Sequence, residues 1–140
     1  MKNFRIVLIV TLILDIIQFI PLVLAQMGGE MKKQMISDLN IDGLTDSVPG
    51  LEVLDMMLYI LGFIYLGNLL SVVYTLRLKT LESLKSATFV LFIVHLFWTL
   101  PDFVSLLGGS SAHPPLIIMA LTLIPVIGLY YVSQKGELKS

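Results

Sequence analysis

A few side chains capable of acid–base chemistry stand inside long apolar runs of this sequence. Asp15 lies within the first run, and Gln18 follows one helical turn later on the same face. At ~1.5 Å per residue, the roughly 11 residues before Asp15 place it about 16 Å deep in a membrane-spanning helix, near the middle of the bilayer. An ionisable group at that depth is costly unless it is paired, neutral or hydrated. Asp15 therefore predicts a partner within the membrane.

A second group of polar side chains shares one helical face of the third apolar run, at the spacing i, i+3, i+4 and i+7: His95, Trp98, Thr99 and Asp102. In the second run, Asn68 stands about 8 residues, or roughly 12 Å, from one membrane surface. His95 stands equally far from that same surface. Asp15, Asn68 and His95 are thus predicted at a similar depth. If their helices face one interior, they form a polar cluster in an apolar bundle.

Two interpretations of this cluster stay open. Hydrogen bonds from Asp15 to His95 or Asn68 can hold helices together, as small polar interfaces in membranes commonly do. Alternatively, the polar face lines a pocket or a proton path, and the candidate ligand-binding residues are then Asp15, Gln18, Asn68, His95, Trp98, Thr99 and Asp102. We expect no resident cofactor, because one membrane histidine and the separate His113 do not make a metal or haem ligand set.

The acidic segment between the first two runs resembles an EF-hand-type calcium loop. Gly43 stands where that loop turns sharply, and oxygen ligands occupy its positions 1, 3, 5 and 9: Asp38, Asn40, Asp42 and Asp46. Pro49 replaces the bidentate glutamate of such loops, and Glu52 comes three residues late. The segment predicts either a weak calcium site or an ordinary turn rich in aspartate and asparagine.

Long apolar segments must position these residues. Apolar residues make up 56% of the chain and charged ones 14%, and four segments approach the ~20 residues that cross ~30 Å of hydrocarbon. The predicted spans are 4–26, 53–76, 87–107 and 115–132. Since backbone groups in lipid must pair within each segment, we predict an all-α integral membrane four-helix bundle. Residues 1–140 then form a single transmembrane domain.

The first span also has features of a secretory signal, because Lys2 and Arg5 precede it and residues 23–25 resemble a cleavage site. The run is longer than a usual signal core, however, and Asp15 and Gln18 interrupt it. We therefore predict that it is retained as the first helix.

The basic residues predict the orientation of the chain. They concentrate in the N-terminal tail, the middle connection and the C-terminal tail, at Lys2, Arg5, Arg77, Lys79, Lys85, Lys135 and Lys139. By the positive-inside rule these regions and both termini face the cytoplasm, and residues 27–52 form an external loop. Within that loop, apolar residues at Met31, Met35 and Leu39 predict a short helix that lies on the membrane surface or caps the bundle.

Composition excludes several classes of site. The chain has no cysteine, so disulfides, thiol nucleophiles and thiolate metal sites cannot form. A net charge of −1 and scattered basic residues give no basic stripe, so nucleic acid is not expected as a partner.

Short pieces of three predicted helices resemble the EXPERA families, which include the emopamil-binding sterol isomerase and the sigma-2 receptor. The pieces are Phe19-Ile20-Pro21, Val94-His95 followed by Thr99-Leu100-Pro101, and Leu123-Ile124-Pro125. The resemblance implies kinked membrane helices around a cavity for sterol-like or cationic amphiphilic ligands. The sequence departs from that family where an acidic ligand-binding residue is expected, since Met27 stands near that position, and the histidine and glutamate set of the isomerase is also not found.

These observations predict a non-enzymatic membrane protein that binds an apolar, lipid-like or sterol-like ligand in a cavity of the bundle, or that supports a membrane partner or a second copy of itself. A membrane enzyme of the isomerase type, acting on a lipid with Asp15 and His95 transferring protons, is one alternative. A small proton-coupled transporter is the other.

Overall fold

The computed structural model describes residues 2–39, 43–109 and 114–137, without the side chains of residues 2, 38 and 39. Within these ranges the chain is helical and contains no strand. The helices are α1 (Lys2–Gln26), α2 (Glu30–Leu39), α3 (Val48–Thr75), α4 (Leu81–Leu107) and α5 (Leu116–Lys135). The predicted all-α fold is confirmed.

Four of these five helices are long and apolar enough to cross a membrane. The candidate spans of α1, α3 and α4 contain 24, 28 and 27 residues, and that of α5 contains 20. Many of their large apolar side chains are exposed, among them Ile17, Phe63, Val90 and Ile127. Such faces promote association in water, whereas they match the hydrocarbon of a bilayer. The helices therefore indicate a membrane protein, as predicted.

Two helices begin before their predicted membrane spans, because polar side chains cap their first turns. α3 starts at Val48, and the Ser47 hydroxyl accepts a hydrogen bond from the backbone N–H three residues later, at 3.1 Å. α4 starts at Leu81, and the Thr80 hydroxyl accepts one from the Ser83 N–H at 3.2 Å. These bonds satisfy N–H groups that a helix start leaves unpaired. Both helices therefore extend beyond their apolar spans.

The chain forms two compact units, and α1 and α3 contribute to both. The first, the bundle unit, comprises the described residues up to Asp15 and from Asn68 onward; the second, the α2 unit, comprises residues 16–67. In the bundle unit, one side chain from each of α1, α3, α4 and α5 enters a single buried cluster: Leu8, Val72, Leu91 and Leu129. The bundle unit is thus a four-helix bundle, as predicted. The assignment of the chain to a single domain stays a prediction.

The α2 unit contains the short helix that the apolar spacing predicted. Met31 and Met35 are half-buried on one side of α2. Lys32 Nζ lies 2.5 Å from Asp55 Oδ1 of α3. The short helix after α1 is therefore confirmed, while its location outside the membrane stays a prediction.

Candidate functional site

Three polar side chains from three helices meet inside the bundle unit. His95 Nε2 on α4 lies 3.2 Å from both carboxyl oxygens of Asp15 on α1. Asn68 Nδ2 on α3 donates to Asp15 Oδ2 at 3.2 Å and lies 3.5 Å from His95 Nε2. Asp15 is 1% exposed and His95 is 8% exposed. The structure therefore brings together the three side chains whose depths were predicted to match, and we name them the polar cluster.

The helical spacing of the sequence turns these polar residues inward. The buried face of α1 repeats at i, i+4, i+7 and i+11, through Phe4, Leu8, Thr11 and Asp15. The buried face of α4 repeats in the same way, through Leu84, Thr88, Leu91, His95 and Thr99. Because apolar members of both faces pack in the core, their polar neighbours on the same faces are buried with them.

The contacts of His95 indicate which of its ring nitrogens donates. His95 Nδ1 lies 2.8 Å from the Leu91 carbonyl oxygen, which can only accept, so Nδ1 carries a proton. A hydrogen bond between Nε2 and the Asp15 carboxyl needs one more proton, held by either group. The net charge of the pair is zero in both arrangements. A pair bonded in this way places no uncompensated charge in hydrocarbon.

Two buried oxygen atoms near this pair have no hydrogen-bond partner within the described ranges: Thr11 Oγ1 and Asn68 Oδ1. Thr11 is fully buried and lies one helical turn before Asp15 on the same face of α1. An unpaired buried oxygen costs about 1–3 kcal/mol. These two atoms therefore give the cluster hydrogen-bonding capacity that the Asp15 and His95 pair does not use. Thr11 was missed as a site residue, although its position four residues before Asp15 is a usable signal.

The other predicted ligand-binding residues occupy different positions. The Thr99 hydroxyl donates to the backbone carbonyl of His95, so Thr99 contacts the cluster through the α4 backbone. Trp98 is 37% exposed and Asp102 is half-buried on the same helix. Gln18 belongs to the α2 unit, where its Oε1 accepts a hydrogen bond from the Tyr65 hydroxyl at 3.2 Å. The role of all these residues in ligand binding stays a prediction.

The predicted calcium loop lies mostly outside the described part of the chain. The side chain of Asp38 and residues Asn40 and Asp42 are not among the described residues. Asp46 is exposed in a turn, where its N–H donates to the Gly43 carbonyl at 3.2 Å, and the positive φ of 72° at Gly43 suits glycine. Within the described ranges no three histidine or acidic side chains are grouped as a metal site. The calcium site stays a prediction.

A groove of about 470 Å³ lies between α3 and α4 in the bundle unit. We name it the α3–α4 groove; its walls are Leu70, Ser71, Tyr74, Thr75, Ala87, Val90 and Leu91. It adjoins the polar cluster along both helices, because Ser71 follows Asn68 by three residues and the Leu91 carbonyl accepts the bond from His95 Nδ1. A second cavity, of about 540 Å³, is formed on α5 by Ile127, Tyr130, Tyr131, Gln134 and Lys135. Neither cavity is lined by Asp15, Asn68 or His95.

The α3–α4 groove and the polar cluster are the two candidate functional sites among the described residues. The chain matches no protein-family model, no curated protein and no solved structure.

Proposed function

We propose that this membrane protein binds an apolar, lipid-like molecule in the α3–α4 groove. The observation that carries the proposal is the groove itself, since its volume of about 470 Å³ falls within the ~300–1,000 Å³ of small-molecule sites. Because Asp15 and His95 bond each other, we place the ligand in the groove beside the polar cluster. A lipid-like or sterol-like ligand is also what the resemblance to the EXPERA families implies.

The exposure of the groove supports an apolar ligand. Three wall residues, Leu70, Tyr74 and Val90, are at least 60% exposed, so a molecule dissolved in the hydrocarbon of the bilayer can reach the groove sideways. The Thr75 hydroxyl donates to the Ser71 carbonyl at 2.8 Å and is thereby satisfied within its own helix. The walls therefore present mainly hydrocarbon to a ligand.

The polar cluster supports the groove by fixing its two helices. Asn68 of α3 and His95 of α4 both contact Asp15 of α1. Apolar surfaces gain little from association in lipid, so hydrogen bonds and close packing must hold membrane helices together. In this proposal the cluster fixes the distance between α3 and α4, so the groove keeps its shape.

Filling the groove tests this proposal. Ala87 is a half-buried wall residue, and we expect Ala87→Phe to occupy the space and weaken lipid binding about tenfold or more, which corresponds to about 1.4 kcal/mol. Native mass spectrometry of delipidated protein titrated with lipid measures the effect. Val104→Phe is the matched control, because Val104 is 66% exposed on the same helix and is not a groove residue. Equal lipid binding by both variants, or none by the original protein, contradicts the proposal.

The Asp15 and His95 pair favours proton-coupled transport as a second candidate function. The Asp15 carboxyl and the His95 imidazole lie 3.2 Å apart among four helices, and Thr11 Oγ1 and Asn68 Oδ1 have no partner among the described residues. These groups provide sites for proton transfer. In proteoliposomes with a pH-sensitive dye inside, we expect proton flux that Asp15→Asn abolishes and that Glu82→Gln, a change at an exposed α4 residue, leaves intact. Lack of flux in the original protein, or flux unchanged by Asp15→Asn, rules this candidate out.

We further propose the predicted orientation, with both termini in the cytoplasm. The basic residues at one end of the bundle unit support it: Arg5, Arg77, Lys79, Lys85 and Lys135. The remaining alternatives, a lipid-modifying enzyme, a membrane partner and a second copy of the chain, stay predictions.

A further inference from the structure

We infer that the molecule in the α3–α4 groove is an anionic phospholipid whose phosphate is bound by Arg77 and Lys79. This inference rests on the proposed function and adds the headgroup class to it. The acyl chain would lie along the groove walls, and the phosphate would lie at the connection between α3 and α4.

The groove leads directly to that connection. Its wall residues Tyr74 and Thr75 are the last residues of α3. The Arg77 N–H donates to the Tyr74 carbonyl at 3.0 Å, and the Leu78 N–H donates to the Thr75 carbonyl at 3.1 Å. Because α4 begins at Leu81, a short turn of residues 76–80 joins the two helices of the groove. The cationic residues of this turn therefore follow the groove walls directly along the chain.

These cationic side chains are available to a ligand. Arg77 and Lys79 are exposed, and the ion pairs formed by described residues involve other side chains. Lys85 contacts the Gln134 carbonyl at 3.3 Å. Between positions 76 and 86 the sequence has three cationic residues and a single acidic residue, Glu82. This excess favours an anionic headgroup over a zwitterionic one.

The depth of these groups matches the shape of a phospholipid. Ser71 lies six residues before Arg77, roughly 9 Å along a helix, so the groove reaches from the basic turn into the hydrocarbon. Tyr74 lies between them, where aromatic residues mark the membrane interface. The guanidinium of Arg77 suits phosphate because it donates two parallel hydrogen bonds. The arrangement of cation, aromatic ring and apolar groove follows the order of phosphate, glycerol region and acyl chain.

The cavity on α5 lacks the cationic excess of the turn between α3 and α4. Lys135 is its single cation, and the acidic Glu137 follows two residues later. We therefore assign the phosphate to the turn between α3 and α4, and Lys135 serves as a control position.

Lipid titration in native mass spectrometry tests the inference on the full chain. Phosphatidylglycerol and phosphatidylcholine with identical acyl chains are compared, and glycerol phosphate tests whether the headgroup binds without the chains. We expect phosphatidylglycerol to bind about 10- to 30-fold more tightly, because each cation near an anionic lipid contributes roughly a factor of five. The double variant Arg77→Gln with Lys79→Gln should lose this preference and keep its affinity for phosphatidylcholine. Lys135→Gln should keep the preference.

The outcomes separate this inference from the proposed function. If both lipids bind equally and Ala87→Phe weakens both, the groove binds lipid without selecting an anionic headgroup, and the inference fails alone. A preference that survives in the double variant, or that disappears with Lys135→Gln, also overturns the inference. Tight binding of glycerol phosphate overturns it as well, because the site then recognises a free phosphate. If neither lipid binds, both proposals fail. Unchanged thermal unfolding of the double variant shows that its exposed substitutions leave the fold intact.

Discussion

Replacing Asp15 with leucine is expected to lower the free energy of unfolding by about 2–3 kcal/mol, because it leaves His95 buried without its carboxyl partner. His95→Leu should cost a similar amount, since the Asp15 carboxyl then loses its imidazole partner. The two single changes act on one interaction. The double variant should therefore cost less than the sum of the single variants, by about 1–3 kcal/mol.

Detergent-induced unfolding in mixed micelles gives the four free energies of this double-mutant cycle. Asp55→Leu is the matched control, because Asp55 is a partly exposed aspartate of α3 whose ion pair with Lys32 is also partly exposed. Such pairs contribute at most ~1 kcal/mol. Additive losses at Asp15 and His95, or a loss at Asp55 as large as that at Asp15, would contradict the role of the polar cluster.

Leu8→Ala is expected to cost about 2–5 kcal/mol, because it opens a cavity where four helices meet. Leu8 is fully buried and packs with Val72, Leu91 and Leu129, one from each of the other helices of the bundle unit. Its neighbour Ile9 is 47% exposed, so Ile9→Ala should change the free energy of unfolding by less than about 0.5 kcal/mol.

The same unfolding assay checks this pair of variants side by side. The two residues differ by one position on α1 and have side chains of the same size, so the comparison isolates burial. Similar losses for both variants would show that α1 does not present this face to the core, and the four-helix packing of the bundle unit would then be wrong.

The polar cluster was predictable because it depends on counting along helices. Asp15, Asn68 and His95 stand at matching depths in their apolar runs, and burial of one requires a partner among the others. Gln18 was grouped with Asp15 by the same reasoning, yet it bonds Tyr65. Helical spacing identifies a face but does not choose between several polar partners.

The α3–α4 groove could not be predicted, because it depends on how small and large side chains on two helices fit together. The sequence shows Ala87 as one more apolar residue, and only its position opposite Tyr74 and Ser71 makes it a wall of the groove. The second predicted span begins at residue 53, whereas α3 begins at Val48, next to the Pro49 that suits the first turn of a helix. Apolar runs identify the membrane span, whereas the Ser47 cap determines where the helix begins.

Magnetic resonance of the Asp15 and His95 pair tests the central claim most directly. The chain has two histidines, and His113→Asn leaves His95 as its single imidazole. In protein labelled with ¹⁵N at histidine and with ¹³C at the aspartate carboxyl, we predict strong carbon–nitrogen dipolar dephasing of the His95 Nε2 signal, because Nε2 lies 3.2 Å from both carboxyl oxygens. Asp15→Asn should remove this dephasing. An Nε2 signal without dephasing, or one whose dephasing persists in Asp15→Asn, would contradict a cluster in which these two side chains contact each other.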